Sequence, residues 1–150
     1  MTPAGCALAA LALLAAPAHA QTQTSGTQGE AAFVEHRLAL QLSDADEAKQ
    51  AIVLSNAFNL LKVYGPDKLA LEVVAFGPGI ALLRDGNPNA ARIRSLVTQG
   101  VRFDACMNTV ETIERETGKP YPLSPEARKV EAGVAQLLTL SEHGYTLVRP

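Results

Sequence analysis

The chain has 150 residues, a formal net charge of −2 and 47% hydrophobic residues. These totals are typical of one globular domain with an apolar core, and they lack the excess positive charge of nucleic-acid-binding proteins. Aromatic residues make up only 5% and tryptophan is absent, so platforms on which bases stack are not expected either.

The first residues predict an export signal. The apolar run "CALAALALLAAPAHA" ends in a small-residue motif that is typical of a cleavage site after Ala20, and it is too short to span a bilayer. No Lys or Arg precedes it, which leaves a misassigned start followed by an apolar tail as the alternative. Cys6 has no lipidation context, so we expect a periplasmic protein without a membrane anchor, with residues 1–20 removed and 21–32 forming a disordered leader.

Cleavage would leave Cys106 as the single thiol of a domain that covers residues 33–150. One thiol cannot form an internal disulfide, and an unpaired thiol in an oxidising compartment needs either burial or a use.

Strands and helices alternate along this domain. Residues 34–42 alternate between apolar and polar, residues 69–76 are almost continuously apolar, and shorter strand patterns occupy 101–105, the vicinity of Val130, and 145–148. Helical patterns fill the intervals from a cap at Ser43-Asp44 to about Val63, then over 80–85, 89–99, 107–116 and 134–143. His36 falls on the apolar face of the first strand, which predicts a core histidine.

This order predicts an α/β fold, a three-layer sandwich with a mostly parallel five-stranded sheet, because parallel strands need crossover connections. Ligands in such folds bind outside the carboxyl ends of the strands. Two loops are expected at that edge: Gly77-Pro78-Gly79 after the second strand, and the segment around Cys106 after the third.

Cys106 is the main candidate for chemistry. It directly precedes a helix, and the free N–H groups of a helix N-terminus stabilise a thiolate, which is the nucleophilic form of cysteine. The alternative is a small buried apolar residue. Asn108 is predicted to contact a group bound at Cys106 or to cap the helix, and capping is the preferred interpretation for Thr109.

The remaining polar motifs are less specific. Gly77, Pro78 and Gly79 predict a tight turn that could form one wall of a pocket at Cys106, and they lack the spacing of a phosphate-binding loop. No histidine or cysteine spacing indicates a metal site, and no histidine is placed beside Cys106 by sequence.

Three blocks of the chain, "LEVVAFGPGIALL", "GVRFDACMNT" and "AGVAQLLTLSEHGYTLVRP", resemble the DsrE/DsrF-like family, which includes the sulfur-relay proteins. The resemblance extends from about Phe33 to Pro150. It implies a flavodoxin-like sandwich of the DsrE/DsrF type and assembly as a homotrimer, hexamer or hetero-oligomer. It also implies that Cys106 carries sulfur as a persulfide, because the relay members have a cysteine just after a strand and opening a helix.

The leading hypothesis is therefore a periplasmic sulfur-relay protein that binds or transfers sulfane sulfur on Cys106, with a donor or acceptor protein as partner and no cofactor or metal. The alternative is a non-enzymatic oligomeric module that binds a small molecule or senses redox state, with Cys106 in its pocket. A homo-oligomer is expected in both cases, because the first helix is too apolar for one sheet contact and the sheet edges need cover.

Overall fold

The computed structural model describes residues 34–150. The predicted signal peptide 1–20 and leader 21–32 lie outside the described residues. None of the helices in the described part combines the length and the apolar character that are needed to cross a membrane.

Five strands are separated by helical segments in the predicted order, with two consecutive helices between β2 and β3. The strands are β1 (His36–Leu42), β2 (Leu69–Ala75), β3 (Arg102–Cys106), β4 (Ala127–Val130) and β5 (Thr146–Val148). The helices are α1 (Glu47–Tyr64), a 3₁₀ helix (Gly77–Leu83), α2 (Ala90–Thr98), α3 (Met107–Thr117) and α4 (Gly133–Glu142).

The five strands form an all-parallel sheet in the order β4-β3-β2-β1-β5. The first four strands are added side by side, and the chain then crosses back so that β5 pairs with β1. The predicted α/β sandwich, flavodoxin-like in its three-layer plan, is confirmed. The first helix is capped by Asp46, whose side chain accepts a hydrogen bond from the Lys49 N–H at 2.9 Å, and not by Ser43-Asp44 as expected.

The two faces of the sheet are covered unequally. Helices α1, α2 and α3 and the 3₁₀ helix pack on one face, where Leu40, Val73 and Phe103 are among the buried residues of the main core. On the other face α4 packs over β1, β2 and β3 and buries Leu137 and Leu140 against Ala39 and Val74.

This arrangement makes the carboxyl ends of β3 and β4 the switch point of the sheet. The helix that follows β3 lies on the first face, whereas the helix that follows β4 lies on the second. The edge where adjacent parallel strands send their connections to opposite faces is the usual ligand position in doubly wound folds. Cys106 and Val130 are partners in the β3–β4 register at that edge, where the Asn108 N–H donates to the Glu131 carbonyl oxygen at 3.1 Å and joins the two loops.

One expectation about an apolar position is wrong. His36 is exposed, with its ring centroid 4.1 Å from that of Tyr64, because it lies at the open end of β1 before α1 covers the strand. Helix α1 leaves Ile52 and Val63 46% and 71% exposed in a single chain.

Candidate functional site

Cys106 ends β3 and is the residue that precedes the first turn of α3. Side chains alternate along a strand, so Cys106 lies on the same face as Asp104, beneath the start of α4. Its residue is only 5% exposed. The thiol is therefore almost fully buried at the carboxyl ends of β3 and β4, and few reagents reach it directly.

The surroundings of the sulfur favour its anionic form. Burial alone would raise the pKa of the Cys106 thiol, but the nearby Thr109 hydroxyl and the backbone N–H groups of Gly133, Thr109 and Asn108 outweigh burial and lower the pKa. Asn108 and Thr109 open α3, and Gly133 opens α4. Two helix N-termini therefore converge on one sulfur atom, and both stabilise negative charge there.

Thr109 connects Cys106 to the loop after β2. Its hydroxyl oxygen accepts a hydrogen bond from the Gly77 N–H at 2.9 Å, and the hydroxyl, which keeps its own hydrogen as a donor, also lowers the pKa of Cys106. Gly77 has a φ of 51°, a left-handed conformation that glycine adopts without strain. The structure thus brings together Gly77, Thr109 and Cys106, which the sequence placed on two separate loops.

Gly79 and Gly133 are required by close packing. A Cβ on Gly79 would lie 2.3 Å from the carbonyl oxygen of Leu42, so the 3₁₀ helix could not approach the end of β1. A Cβ on Gly133 would lie 2.9 Å from the Cβ of Phe76, so α4 could not bring its first N–H to Cys106. Gly79 therefore has a packing role, and it supports the turn that holds Gly77.

A cavity of about 600 Å³ lies between the 3₁₀ helix and α3, and we call it the α3 cavity. Four of the predicted site residues line it: Gly77, Pro78, Asn108 and Thr109. Cys106 is not among its lining residues in the described part of the chain. Thr109 therefore belongs to both features, because its hydroxyl lowers the pKa of the Cys106 thiol and the residue lines the cavity. The predicted site divides into a buried thiol and a neighbouring cavity.

A buried charged cluster lies two residues before Cys106 and was not predicted. Glu72 of β2 and Asp104 of β3 are 2% and 0% exposed, and both are bound by Arg128 of β4, at 2.6 Å to Glu72 and at 2.7 and 2.9 Å to Asp104. Glu72 also accepts hydrogen bonds from three further groups: Arg102, Gln136 and Tyr145. Through Gln136 the cluster holds α4, and thus Gly133, in place above the sheet.

The two acids of this cluster differ in their proton affinity. Burial and the adjacent Glu72 carboxylate raise the pKa of Asp104 to about 6, against the opposing effect of Arg128. Burial acts against ionisation of Glu72 as well, but hydrogen bonds from Asp104 and Arg102 and the positive charges of Arg102 and Arg128 lower its pKa. A single acidic residue in each of two strands that read as buried, "LALEVVAF" and "VRFDAC", is the sequence signal that could have revealed the pair.

The described residues offer no alternative metal chemistry. Among residues 34–150, no group of three His, Cys, Asp or Glu side chains is arranged to hold a metal ion. His143 binds the carbonyl oxygen of Thr139 in its own helix through Nδ1, at 2.6 Å. Neither histidine of the described part is therefore placed to act as a base for Cys106.

Comparison with known proteins extends the fold but assigns no activity. No family model matches the chain, and no curated protein matches it. Among solved structures, the chain is similar to a protein of unknown function, MTH1491 from Methanobacterium thermoautotrophicum, with 28% identity and a TM-score of 0.68. The match covers 77% of this chain and 99% of that one, so MTH1491 has this fold over its whole length.

Proposed function

We propose that the protein binds or transfers sulfane sulfur as a persulfide on Cys106, as an exported member of the DsrE/DsrF-like family. One observation carries the proposal: Cys106 ends β3 at the carboxyl edge of the sheet where α3 and α4 begin, and the Thr109 hydroxyl and the backbone N–H groups there lower the pKa of its thiol. The three sequence blocks that resemble the family support it independently.

The transfer balances without an added oxidant or reductant. The Cys106 thiolate attacks the outer sulfur of a donor persulfide R–S–SH, forms a new sulfur–sulfur bond, and breaks the bond between the outer sulfur and the R–S sulfur. The electron pair leaves on the R–S⁻ thiolate, and Cys106–S–SH remains. An acceptor thiolate takes the outer sulfur by the same exchange in reverse roles, so the protein acts as a carrier.

The donors around the sulfur suit this cycle. The Thr109 hydroxyl and the N–H groups of Gly133 and Thr109 stabilise the attacking thiolate, and the same charge reappears on Cys106 when the outer sulfur departs. A thiolate that is stabilised in this way is also a better leaving group. Burial to 5% exposure protects the loaded sulfur from water and from unspecific thiols, and it requires a donor that can reach a buried sulfur.

The mass of the intact protein tests the proposal. The full chain is incubated with inorganic polysulfide on a Cys6→Ser background, so that Cys106 is the only thiol, and we expect a mass gain of one or more sulfur atoms that dithiothreitol removes. The double variant Cys6→Ser/Cys106→Ser is the matched control and should gain nothing. Absence of added sulfur on the first protein, or equal labelling of the control, would refute the proposal.

The alternative of a redox-sensing or small-molecule-binding module has its own outcome in this experiment. Ready alkylation of Cys106 by iodoacetamide without persulfide formation would favour sensing. The α3 cavity, which shares Thr109 with the thiol site, is the observation that favours small-molecule binding.

We also infer that the protein assembles as a homo-oligomer, a trimer or a hexamer as in the resembling family. Seven large apolar side chains are exposed among residues 34–150, and all belong to α1, α4 and β5: Ile52, Val63, Tyr64, Val134, Leu138, Leu147 and Val148. Strand β5 is an edge of the sheet, and Val63, Tyr64 and Val148 line one groove beside it. Exposed apolar residues that gather along an edge strand are typical of an interface.

Light scattering at micromolar concentration tests the assembly. We expect the wild-type mass to be a multiple of the chain mass, and Val63→Glu to reduce it, because the side chain is 71% exposed in a single chain and a charge there costs the fold little. Ser95→Glu, on the exposed side of α2, is the control and should leave the mass unchanged. A monomeric wild-type protein would contradict the inference.

A further inference from the structure

The α3 cavity has the size and lining of a small-molecule site. Its volume of about 600 Å³ lies within the range of ~300–1,000 Å³ that is typical of such sites. Its walls combine an apolar body, supplied by Pro78, Ile80, Ala81 and Ile113, with a few polar groups. A cavity of this kind accommodates a molecule with an apolar part and a polar end.

Three features define the base of the cavity. The Tyr121 hydroxyl donates a hydrogen bond to the Ile80 carbonyl oxygen at 3.3 Å, which ties the loop after α3 to the 3₁₀ helix. The Tyr121 backbone N–H is held in turn by Glu114 at 2.8 Å. The phenol is half-buried, so the ring and Ile113 form an apolar floor that is fixed by hydrogen bonds on both sides.

One positive charge lies in the lining without a partner. Arg84 makes no ion pair and no side-chain hydrogen bond with any residue of 34–150. Its charge is close enough to Tyr121 to oppose the rise in the pKa of that phenol that burial causes. Glu114, the acid that lies near Tyr121, accepts a hydrogen bond from the Tyr121 N–H through one carboxylate oxygen. The guanidinium is therefore free to accept an anionic group that enters the cavity.

The polar wall opposite belongs to the first turns of α3. Asn108 is exposed and its side-chain amide makes no hydrogen bond within the described residues, whereas the Thr112 hydroxyl already donates to the Asn108 carbonyl oxygen at 2.8 Å. The amide can donate to, or accept from, a ligand between α3 and Arg84. A ligand there requires one anionic end, one neighbouring polar contact and an apolar body.

We propose that the α3 cavity is a binding site for a small organic carboxylate with an apolar body, with Arg84 pairing the carboxylate and Ile80, Ile113 and Tyr121 contacting the body. The carboxylate matches the planar, two-pronged donor set of an arginine. The site goes beyond the persulfide function and does not depend on it, because Cys106 does not line the cavity. Thr109 lines the cavity and also stabilises the Cys106 thiolate, so a ligand in the cavity is placed to change that stabilisation.

Hexanoate is the test ligand, titrated into the full chain while binding is followed by calorimetry and by amide shifts in NMR spectra. We expect saturable binding, with shifts at Asn108 and Thr109. Acetate, which lacks the apolar body, and hexanol, which lacks the charge, should each bind at least about tenfold more weakly. Equal binding of all three, or no binding of hexanoate at millimolar concentration, would overturn the proposal.

Two variants locate the site. Arg84→Gln should weaken hexanoate at least about tenfold. The matched control is Arg37→Gln, since Arg37 of β1 also makes no ion pair within residues 34–150 and lies outside the cavity lining. Ala81→Leu should abolish binding by filling the cavity. Equal effects of Arg84→Gln and Arg37→Gln, or unchanged binding in Ala81→Leu, would show that the ligand binds elsewhere.

A third variant separates this proposal from the persulfide function. Cys106→Ser should bind hexanoate as the wild type does, because the thiol is outside the lining. Failure of polysulfide labelling together with normal hexanoate binding would refute only the relay function. Loss of hexanoate binding in Cys106→Ser would overturn the independence of the two sites.

Discussion

Thr109→Val should raise the pKa of Cys106. The substitution replaces a hydroxyl by a methyl group of nearly the same shape and removes the one side-chain donor to the sulfur, while the N–H donors of Asn108, Thr109 and Gly133 remain. The thiolate then loses part of its stabilisation, and the neutral thiol is affected much less.

The expected size follows from the kind of bond that is lost. A hydrogen bond to a charged group contributes about 1.5–3 kcal/mol, so losing the hydroxyl should destabilise the thiolate relative to the thiol by an amount of that order and raise the pKa. Water can replace the hydroxyl only poorly, because Cys106 is 5% exposed, which favours the upper part of that range. The Gly77 N–H also loses its acceptor, so the variant should unfold at a lower urea concentration.

The assay is a pH titration of the thiolate by its ultraviolet absorbance on the Cys6→Ser background. Absorbance reports the ionisation equilibrium itself, whereas an alkylation rate also depends on how readily the reagent reaches the buried sulfur. The rate is also damped, because a thiolate of lower pKa is a weaker nucleophile, with a Brønsted coefficient of about 0.4–0.5.

Two variants control for indirect effects. Thr109→Ser keeps the hydroxyl, and its Cys106 pKa should stay within a few tenths of a unit of the wild type. Thr112→Val removes the hydroxyl one turn later, which donates to the Asn108 carbonyl oxygen and not to the sulfur, and should leave the pKa of Cys106 unchanged. Equal pKa values for Thr109→Val and wild type, or equal shifts in Thr109→Val and Thr112→Val, would refute the assignment of the donor.

Three further predictions concern the scaffold of the site and are measured by urea unfolding. The folded-state pKa of Asp104, about 6, exceeds its ordinary value of 3.8, so the stabilisation from its protonation is present below about pH 4 and is lost as pH rises through about 6. Relative to Asp104→Asn, the wild type should lose about 3 kcal/mol of unfolding free energy over that window. Parallel pH profiles for the two proteins would contradict this prediction. Arg128→Met leaves two buried carboxylates short of a partner and should lower the unfolding free energy by about 3 kcal/mol. The control Arg94→Met removes a surface pair with Glu126 and should lower it by less than about 1 kcal/mol. Equal losses would show that the cluster does not hold the sheet. Gly79→Ala forces a Cβ to within 2.3 Å of the Leu42 carbonyl oxygen and should cost about 3 kcal/mol, and an unchanged urea midpoint would mean that the 3₁₀ helix shifts freely.

Local patterns in the sequence were sufficient to predict the alternation of strands and helices and the position of Cys106. The continuous apolar run of β2 reflects burial on both faces, and the alternation in β1 reflects a second face that is only partly buried. Burial selects residues one by one, so it leaves a period that the sequence shows. The parallel sheet follows from the crossover lengths, and the strand-to-helix junction at Cys106 needs only the residues on either side of it. Asn108 and Thr109 were found for the same reason, because they share the first turn of α3.

Contacts between distant segments could not be read in this way. Thr109 and Gly77 are 32 residues apart, and nothing near either residue indicates that the hydroxyl joins the glycine N–H to the sulfur. Glu72 and Arg128 are 56 residues apart, and each reads alone as an exception in its strand.

The sequence by itself therefore determined the class of fold and the one thiol at the carboxyl edge of the sheet, because both depend on short-range periodicity and caps. Only the tertiary structure decided that α4 crosses to the other face and brings Gly133 to Cys106, and that Arg84 is left free at the α3 cavity. These features depend on which strands become neighbours, and that choice is made by packing over the whole chain.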